Sequence, residues 1–120
     1  MEKINIMVSL YSEDPAEPAF GLLRGLFPVC ALCSGPGLTV LQPAPGIVLQ
    51  LLGQAAQPPA YLRTAPVMSY GVSDLVAAVA LAENRGAIIL QDITDDCASF
   101  SFCYLQFTDG QPFGLFSSDA

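Results

Sequence analysis

The sequence contains no histidine, and only four of its 120 residues carry a positive charge, Lys3, Arg24, Arg63 and Arg85. Without histidine, the chain lacks the side chain that most often serves as a general base near neutral pH and as a metal ligand. Four scattered cations cannot follow a phosphate backbone, and the formal net charge is −7, so nucleic-acid binding is not expected. The same negative charge gives the chain little attraction for anionic lipid.

Long apolar runs are also missing. Gly, Pro, Gln or Ser interrupts every apolar stretch before the roughly 18–20 residues that a membrane helix needs, so no membrane association is expected. The first residues lack the basic and apolar regions of a secretion signal, so we predict a cytoplasmic location and reduced cysteines. The hydrophobic fraction of 52% supplies a core for one domain of this length.

The order of predicted elements in the first half is one strand, one helix and three strands. Alternating apolar residues predict a strand over 4–11, and a helix follows that ends at Arg24-Gly25, where glycine permits a positive φ. Turn residues then separate three short strands, predicted at 29–33, 38–42 and 47–52. We interpret the polar, proline-containing connector over 53–66 as a loop.

The second half repeats this order. A strand is predicted over 67–72, and a helix over 75–84 begins at a cap formed by Ser73 or Asp74. Three strands follow at about 87–91, 99–107 and 113–117, with an acidic loop over 92–98. Because Asp14 and Asp74 stand 60 residues apart at corresponding places, we predict one α+β domain of two βαβββ modules, about 1–53 and 67–120, joined by a linker over 54–66.

Three segments carry a resemblance to a known family. Residues 70–75 (YGVSDL) precede the Ala-rich second helix, residues 107–115 (FTDGQPFGL) form a strand, turn and strand, and residues 10–15 (LYSEDP) precede the first helix. In these segments, and over nearly its whole length, the chain resembles the vicinal oxygen chelate superfamily, which includes glyoxalase I, bleomycin-resistance proteins and extradiol dioxygenases. The resemblance implies a curled mixed sheet around a cleft, helices outside, and a homodimer. The shortened turn at Asp109-Gly110-Gln111 departs from the family pattern.

The resemblance also bears on metal binding. Metal-dependent members hold a divalent cation with two His and two Glu, one on each of four strands. In this sequence those positions fall at Met7, Gln50, Val67 and Gly114, and none supplies a carboxylate or an imidazole. The resemblance therefore implies a chain without a metal or another cofactor, and argues against a glyoxalase I or an extradiol dioxygenase.

Two functions follow from this interpretation. The first is binding or sequestering of a small molecule, as in bleomycin-resistance proteins, and the second is an isomerase or lyase that works without the metal site. Strand periodicity adds further cleft candidates that share a face with Met7 or Val67, or belong to the apolar strand 99–107: Ser9, Tyr11, Ser69 and Tyr104. The two tyrosines are the titratable groups that an enzyme would use, although Tyr11 is equally consistent with packing. A partner domain without a ligand is a third alternative.

The remaining reactive residues have simpler interpretations. Cys30 and Cys33 form a C-x-x-C, but on a strand residues three apart point to opposite faces. Cys97 and Cys103 lack zinc-site spacing, so we interpret all four thiols as small buried hydrophobes. Arg63 is either a surface residue or a partner for an acidic ligand. A solvated loop, rather than a twelve-residue calcium loop, is predicted at Asp92, Asp95 and Asp96.

Overall fold

The computed structural model describes residues 4–14, 17–29, 36–95 and 100–118. In these residues seven strands form one mixed sheet: β1 (Ile6–Tyr11), β2 (Leu38–Ala44), β3 (Ile47–Leu52), β4 (Val67–Gly71), β5 (Ile88–Asp95), β6 (Phe100–Gln106) and β7 (Pro112–Ser118). The α-helices are α1 (Pro18–Leu26), α2 (Ala60–Arg63) and α3 (Leu75–Asn84), and a 3₁₀ turn lies at Gln54–Ala56. None of the described helices has the length and apolar character that a membrane crossing needs.

The strands follow the order β2-β3-β1-β4-β7-β6-β5 across the sheet. Within the first half β1 runs parallel to β3, and within the second half β4 runs parallel to β7. The antiparallel pair β1–β4 joins these two halves into one sheet. The sheet is curled but not closed, and this confirms the predicted α+β class with a mixed curled sheet.

Helices α1 and α3 pack on the outer face of the sheet, as the resemblance implies, whereas α2 packs on the inner face. Phe20 of α1 packs on Leu41 and Leu51, and α3 packs on a cluster that includes Cys103 and Leu105. The opposite face carries its own apolar clusters, so several strands are apolar on both sides. Alternation along β6 separates these faces, because Cys103 and Leu105 point towards α3 while alternate residues point inward.

The helix ends agree only in part with the prediction. Asp74 caps α3 by accepting a hydrogen bond from the Ala77 N–H at 3.0 Å, and Gly86 takes φ +97° after the helix. The first helix was predicted to end at Arg24-Gly25, but it continues to Leu26. The chain leaves that helix through Phe27 in an extended conformation, so no glycine with positive φ is needed there.

Two predicted loops also contain regular structure. The connector over 53–66 includes α2, because Leu62 is apolar and buries its side chain to 5% exposure against the inner face. The predicted loop over 92–98 starts late, since irregular pairing with β6 carries β5 on to Asp95. Of the strand predicted over 29–33, only Val29 is described, and it forms an isolated bridge to Leu41. Outside the described residues lie Cys30, Cys33, Asp96 and Cys97.

Replacing the α3 cap tests the local account of that helix. Asp74→Ala removes the acceptor for the Ala77 N–H, so we expect the free energy of unfolding to fall by about 1 kcal/mol and Tm by roughly 3–5 °C. Thermal unfolding followed by circular dichroism measures this. Glu83→Ala is the control, because it removes the same charge from an exposed position on the same helix. Equal losses in the two variants would contradict the capping role.

Candidate cleft on the inner face of the sheet

The structure brings the sequence candidates together on the inner face of the sheet. Met7 belongs to one inner cluster, Val67 and Tyr104 belong to the other, and Tyr11 packs against the second. The polar candidates face the same side and complete the set: Ser9, Gln50, Ser69 and the glycine Gly114. Cys103 lies on the outer face beneath α3, where burial raises the pKa of its thiol.

A buried chain of polar side chains runs across this face. Ser9 is fully buried, and its Oγ donates a hydrogen bond to Gln50 Oε1 at 2.8 Å. Tyr104 is 6% exposed, and its hydroxyl makes hydrogen bonds with Ser9 and Ser69. The four side chains therefore satisfy one another in a buried environment, where an unpaired hydroxyl would be costly.

Strand register explains why these side chains meet. Ser9 on β1 lies opposite Gln50 on β3. One step along, Ser69 on β4 lies opposite Gly114 on β7, and Gly114 in turn lies opposite Tyr104 on β6. A Cβ on Gly114 would overlap Ser69 Oγ and stand 3.0 Å from Tyr104 Cε1. The absence of a side chain at this position therefore lets Ser69 and Tyr104 approach each other across β7.

Aromatic side chains fill most of the remaining space. Phe100 stacks on Phe116 at 5.5 Å between ring centroids, and Phe102 meets Tyr104 edge-on at 5.9 Å. Beside them lies a cavity of about 40 Å³, with Met7, Gln50 and Ser69 completing its wall. A water molecule needs roughly 10–15 Å³ of such space, whereas pockets for small molecules are about 300–1,000 Å³. The cavity therefore has room for a few waters, and a larger guest has to displace a side chain.

Tyr61 closes one end of the cleft, and the sequence interpretation missed it. Its ring lies 5.4 Å from that of Tyr104, and its hydroxyl donates to Gln91 Oε1 at 3.1 Å. The neighbouring Leu62 is buried in the same inner cluster. The only signal in the sequence was the apolar pair Tyr61-Leu62 inside a polar connector, which is too short to show a helical period.

The fold can now be compared with known proteins. Sequence comparison finds no matching family and no matching curated protein. In structure, the chain is similar to a hypothetical protein from Bacillus halodurans (TM-score 0.72, 10% identity, 99% of this chain and 96% of that chain). It is also similar to a glyoxalase/bleomycin resistance protein/dioxygenase superfamily member from Vibrio splendidus (TM-score 0.66, 16% identity, 97% and 100%). A methylmalonyl-CoA epimerase gives a TM-score of 0.57 at 14% identity, over 98% and 95% of the two chains.

The chain has the vicinal oxygen chelate fold. In this fold, the residues at the four positions that the resemblance assigns to metal ligands are Met7, Gln50, Val67 and Gly114. All four lie on the inner face, as the resemblance implied. The cavity wall contains Met, Gln, Ser, Phe and Tyr, and none of these supplies a carboxylate or an imidazole. Within the described part of the chain, no group of three or more His, Cys, Asp or Glu is placed to hold a metal ion.

The titratable groups of the cleft are phenols that stay protonated. Burial raises the pKa of Tyr104, although its hydrogen bonds with Ser9 and Ser69 act in the opposite direction. Burial, with a smaller contribution from Tyr104, raises the pKa of Tyr61 to about 12. At neutral pH both phenols are therefore hydrogen-bonding groups without charge. A base would need a pKa near the working pH, which these side chains do not have.

The need for glycine at position 114 can be tested directly. Gly114→Ala forces its methyl group into Ser69 and Tyr104, so we expect the free energy of unfolding to fall by about 2–3 kcal/mol. Urea unfolding measures the change. The control is Gly21→Ala, because a Cβ there meets nothing within 4 Å and alanine favours the helix by roughly 0.5–1 kcal/mol. A tolerated Gly114→Ala would contradict the close approach described above.

The raised pKa of Tyr61 predicts a loss of stability at high pH. The unfolded chain ionises this phenol near pH 10, and the folded chain near pH 12. Since the folded state then binds more protons, the free energy of unfolding falls between about pH 10 and 12 and is unaffected at lower pH. Tyr61→Phe should reduce this fall in urea unfolding at pH 9 and pH 11. Tyr70→Phe removes an exposed hydroxyl and should leave this fall unchanged. Equal falls in Tyr61→Phe and Tyr70→Phe would contradict the assignment of the effect to Tyr61.

Proposed function

We propose that this protein binds a small, uncharged and largely apolar molecule in the inner-face cleft, without a metal ion. The observation that carries the proposal is the buried polar chain from Gln50 through Ser9 and Tyr104 to Ser69, set beside an aromatic cavity. Binding sites of this kind combine apolar walls with a few placed hydrogen-bonding groups. None of the described residues that line the cavity is charged, which favours a neutral guest.

Gln50 is the residue that presents this polar chain to a ligand. It is half-buried at the cavity wall, and its Oε1 is occupied by Ser9. Its Nε2 therefore supplies the donors available to a carbonyl or hydroxyl oxygen of the guest. A guest with an aromatic ring and one oxygen acceptor suits these groups and the surrounding rings.

Phe102 is the side chain whose movement makes room. It is half-buried, it lines the cavity, and it contacts Tyr104 by a ring edge. A guest that takes the place of this ring recovers contact with the other aromatic side chains. Binding then comes with a local rearrangement of Phe102 and leaves the sheet unchanged.

Binding is favoured over the alternative of a metal-free isomerase or lyase. Such an enzyme needs an acid–base group poised near neutral pH, and the raised pKa of Tyr104 leaves that phenol protonated. Tyr11 lies at the edge of the inner cluster rather than in the cavity wall. The homodimer and the cytoplasmic location stay predictions.

Enlarging the cleft tests the proposed site. Phe102→Ala should cost about 2 kcal/mol of unfolding free energy, because a half-buried ring is removed, and should leave space for a ring-sized guest. We expect indole and benzamide to raise Tm more in this variant than in the unaltered protein. Gln50→Leu should weaken the binding of benzamide, which has a carbonyl oxygen, more than the binding of indole. Gln54→Leu on the exposed 3₁₀ turn is the control.

Two outcomes would overturn the proposal. One is a Tm shift that is the same in Phe102→Ala, Gln50→Leu and the unaltered protein, because binding would then lie outside the cleft. The other is stabilisation by zinc or nickel alone, which would contradict the proposed absence of a metal site. Resonance assignment of Gln50 and Tyr104 by NMR shows directly whether the guest reaches them.

A further inference from the structure

A second cavity lies outside the sheet cleft, between α2 and the end of β1. Its volume is about 170 Å³, and its walls are Leu10, Tyr11 and residues 62–66. Leu62 separates it from the inner face, where the same side chain is buried. This cavity is about four times larger than the one in the cleft, and it exists without any rearrangement.

The charge at this cavity is opposite to that of the chain. Arg63 lines it, and none of the described lining residues is an Asp or Glu, although the whole chain has a net charge of −7. A comparison within the molecule sharpens the point. Another cavity, of about 220 Å³ beside α1, contains Arg24 but also Asp14. The α2–β1 cavity therefore combines an arginine with a partly apolar wall and, among the described lining residues, no opposing carboxylate.

The size and the lining of the cavity together define a class of ligand. A volume of about 150 Å³ accommodates a molecule the size of benzene, and this cavity is open to solvent, because residues 63–66 are exposed. Leu10, Leu62 and Pro66 supply apolar surface for such a ring. An arginine side chain presents parallel N–H donors that match the two oxygens of a carboxylate. From these observations we infer that the α2–β1 cavity binds a small cyclic carboxylate, with its ring among the apolar walls and its carboxylate on Arg63.

This site is distinct from the proposed cleft in position and in the charge of its ligand. The cleft is lined by uncharged residues and suits a neutral guest, whereas this cavity suits an anion. Tyr11 is the sequence candidate that the structure places here, where its phenol adds a polar group to the wall. The sequence left two interpretations of Arg63, a surface residue or a partner for an acidic ligand. Under this inference, Arg63 is the partner for an acidic ligand.

An NMR titration of the ¹⁵N-labelled chain with sodium benzoate tests the inference. We expect saturable shifts of the amide signals of Leu10, Tyr11 and residues 62–65. Arg63→Gln should raise the Kd at least about tenfold, because the charge-assisted hydrogen bonds are lost. The Kd of Arg63→Lys should lie between those of the unaltered protein and Arg63→Gln, since lysine keeps the positive charge but lacks the paired N–H donors of a guanidinium group. Arg85→Gln is the matched control, because it removes an exposed arginine that is not part of the cavity wall.

Titration of the unaltered protein with benzyl alcohol distinguishes the contribution of the carboxylate to binding from that of the ring. It has the same ring without the charge, so it should bind at least about tenfold more weakly at the same amides. The inference is overturned by the absence of saturable shifts at those residues, by equal Kd values for benzoate and benzyl alcohol, or by equal losses in Arg63→Gln and Arg85→Gln. Shifts at Gln50, Ser69 and Tyr104 instead would also overturn it, and would leave the proposed cleft function standing.

Discussion

The antiparallel pairing of β1 with β4 is the contact on which the rest of the structure depends. Each half of the chain has an apolar sheet face that a module of this size cannot cover alone. The pairing makes the two half-sheets continuous, and it sets Met7 opposite Ser69 and Ser9 opposite Val67. The joined sheet is curled without closing. The cleft, its polar chain and its aromatic filling all follow from that curvature.

Much of the inner face could be predicted from the sequence because strands alternate. Gln50 is a polar residue in an otherwise apolar strand, and Ser9 shares a face with Met7, a position that the resemblance assigned to the cleft. Tyr104 was different, because β6 is buried on both sides and its alternation carries no polarity signal. Gly114 followed from the resemblance, and its physical reason, the close approach of Ser69 and Tyr104, appears only when β4 and β6 flank β7.

The segment between the halves could not be predicted in the same way. Four residues of α2 are too few for a helical period, and the surrounding prolines and polar residues are typical of a loop. What fixes α2 is tertiary contact, namely Leu62 in the inner cluster and Tyr61 against Tyr104. Those contacts join residues about 40 positions apart in the chain, and no local pattern encodes such a pairing. The cavity beside α2 depends on the same contacts, so it could not be predicted from the sequence either.

The chemistry of the inner face supports the proposed binding function. Hydroxyls and an amide that satisfy one another form a neutral network, which fixes side-chain positions without creating a charge. Such a network discriminates between guests by shape and by hydrogen bonds, because a guest lacking the matching group leaves a buried donor unpaired. It offers no group that gains or loses a proton near neutral pH, since burial holds the phenol of Tyr104 in its protonated form. The burial that encloses Tyr104 is thus also what makes this cleft a poor place for acid–base chemistry.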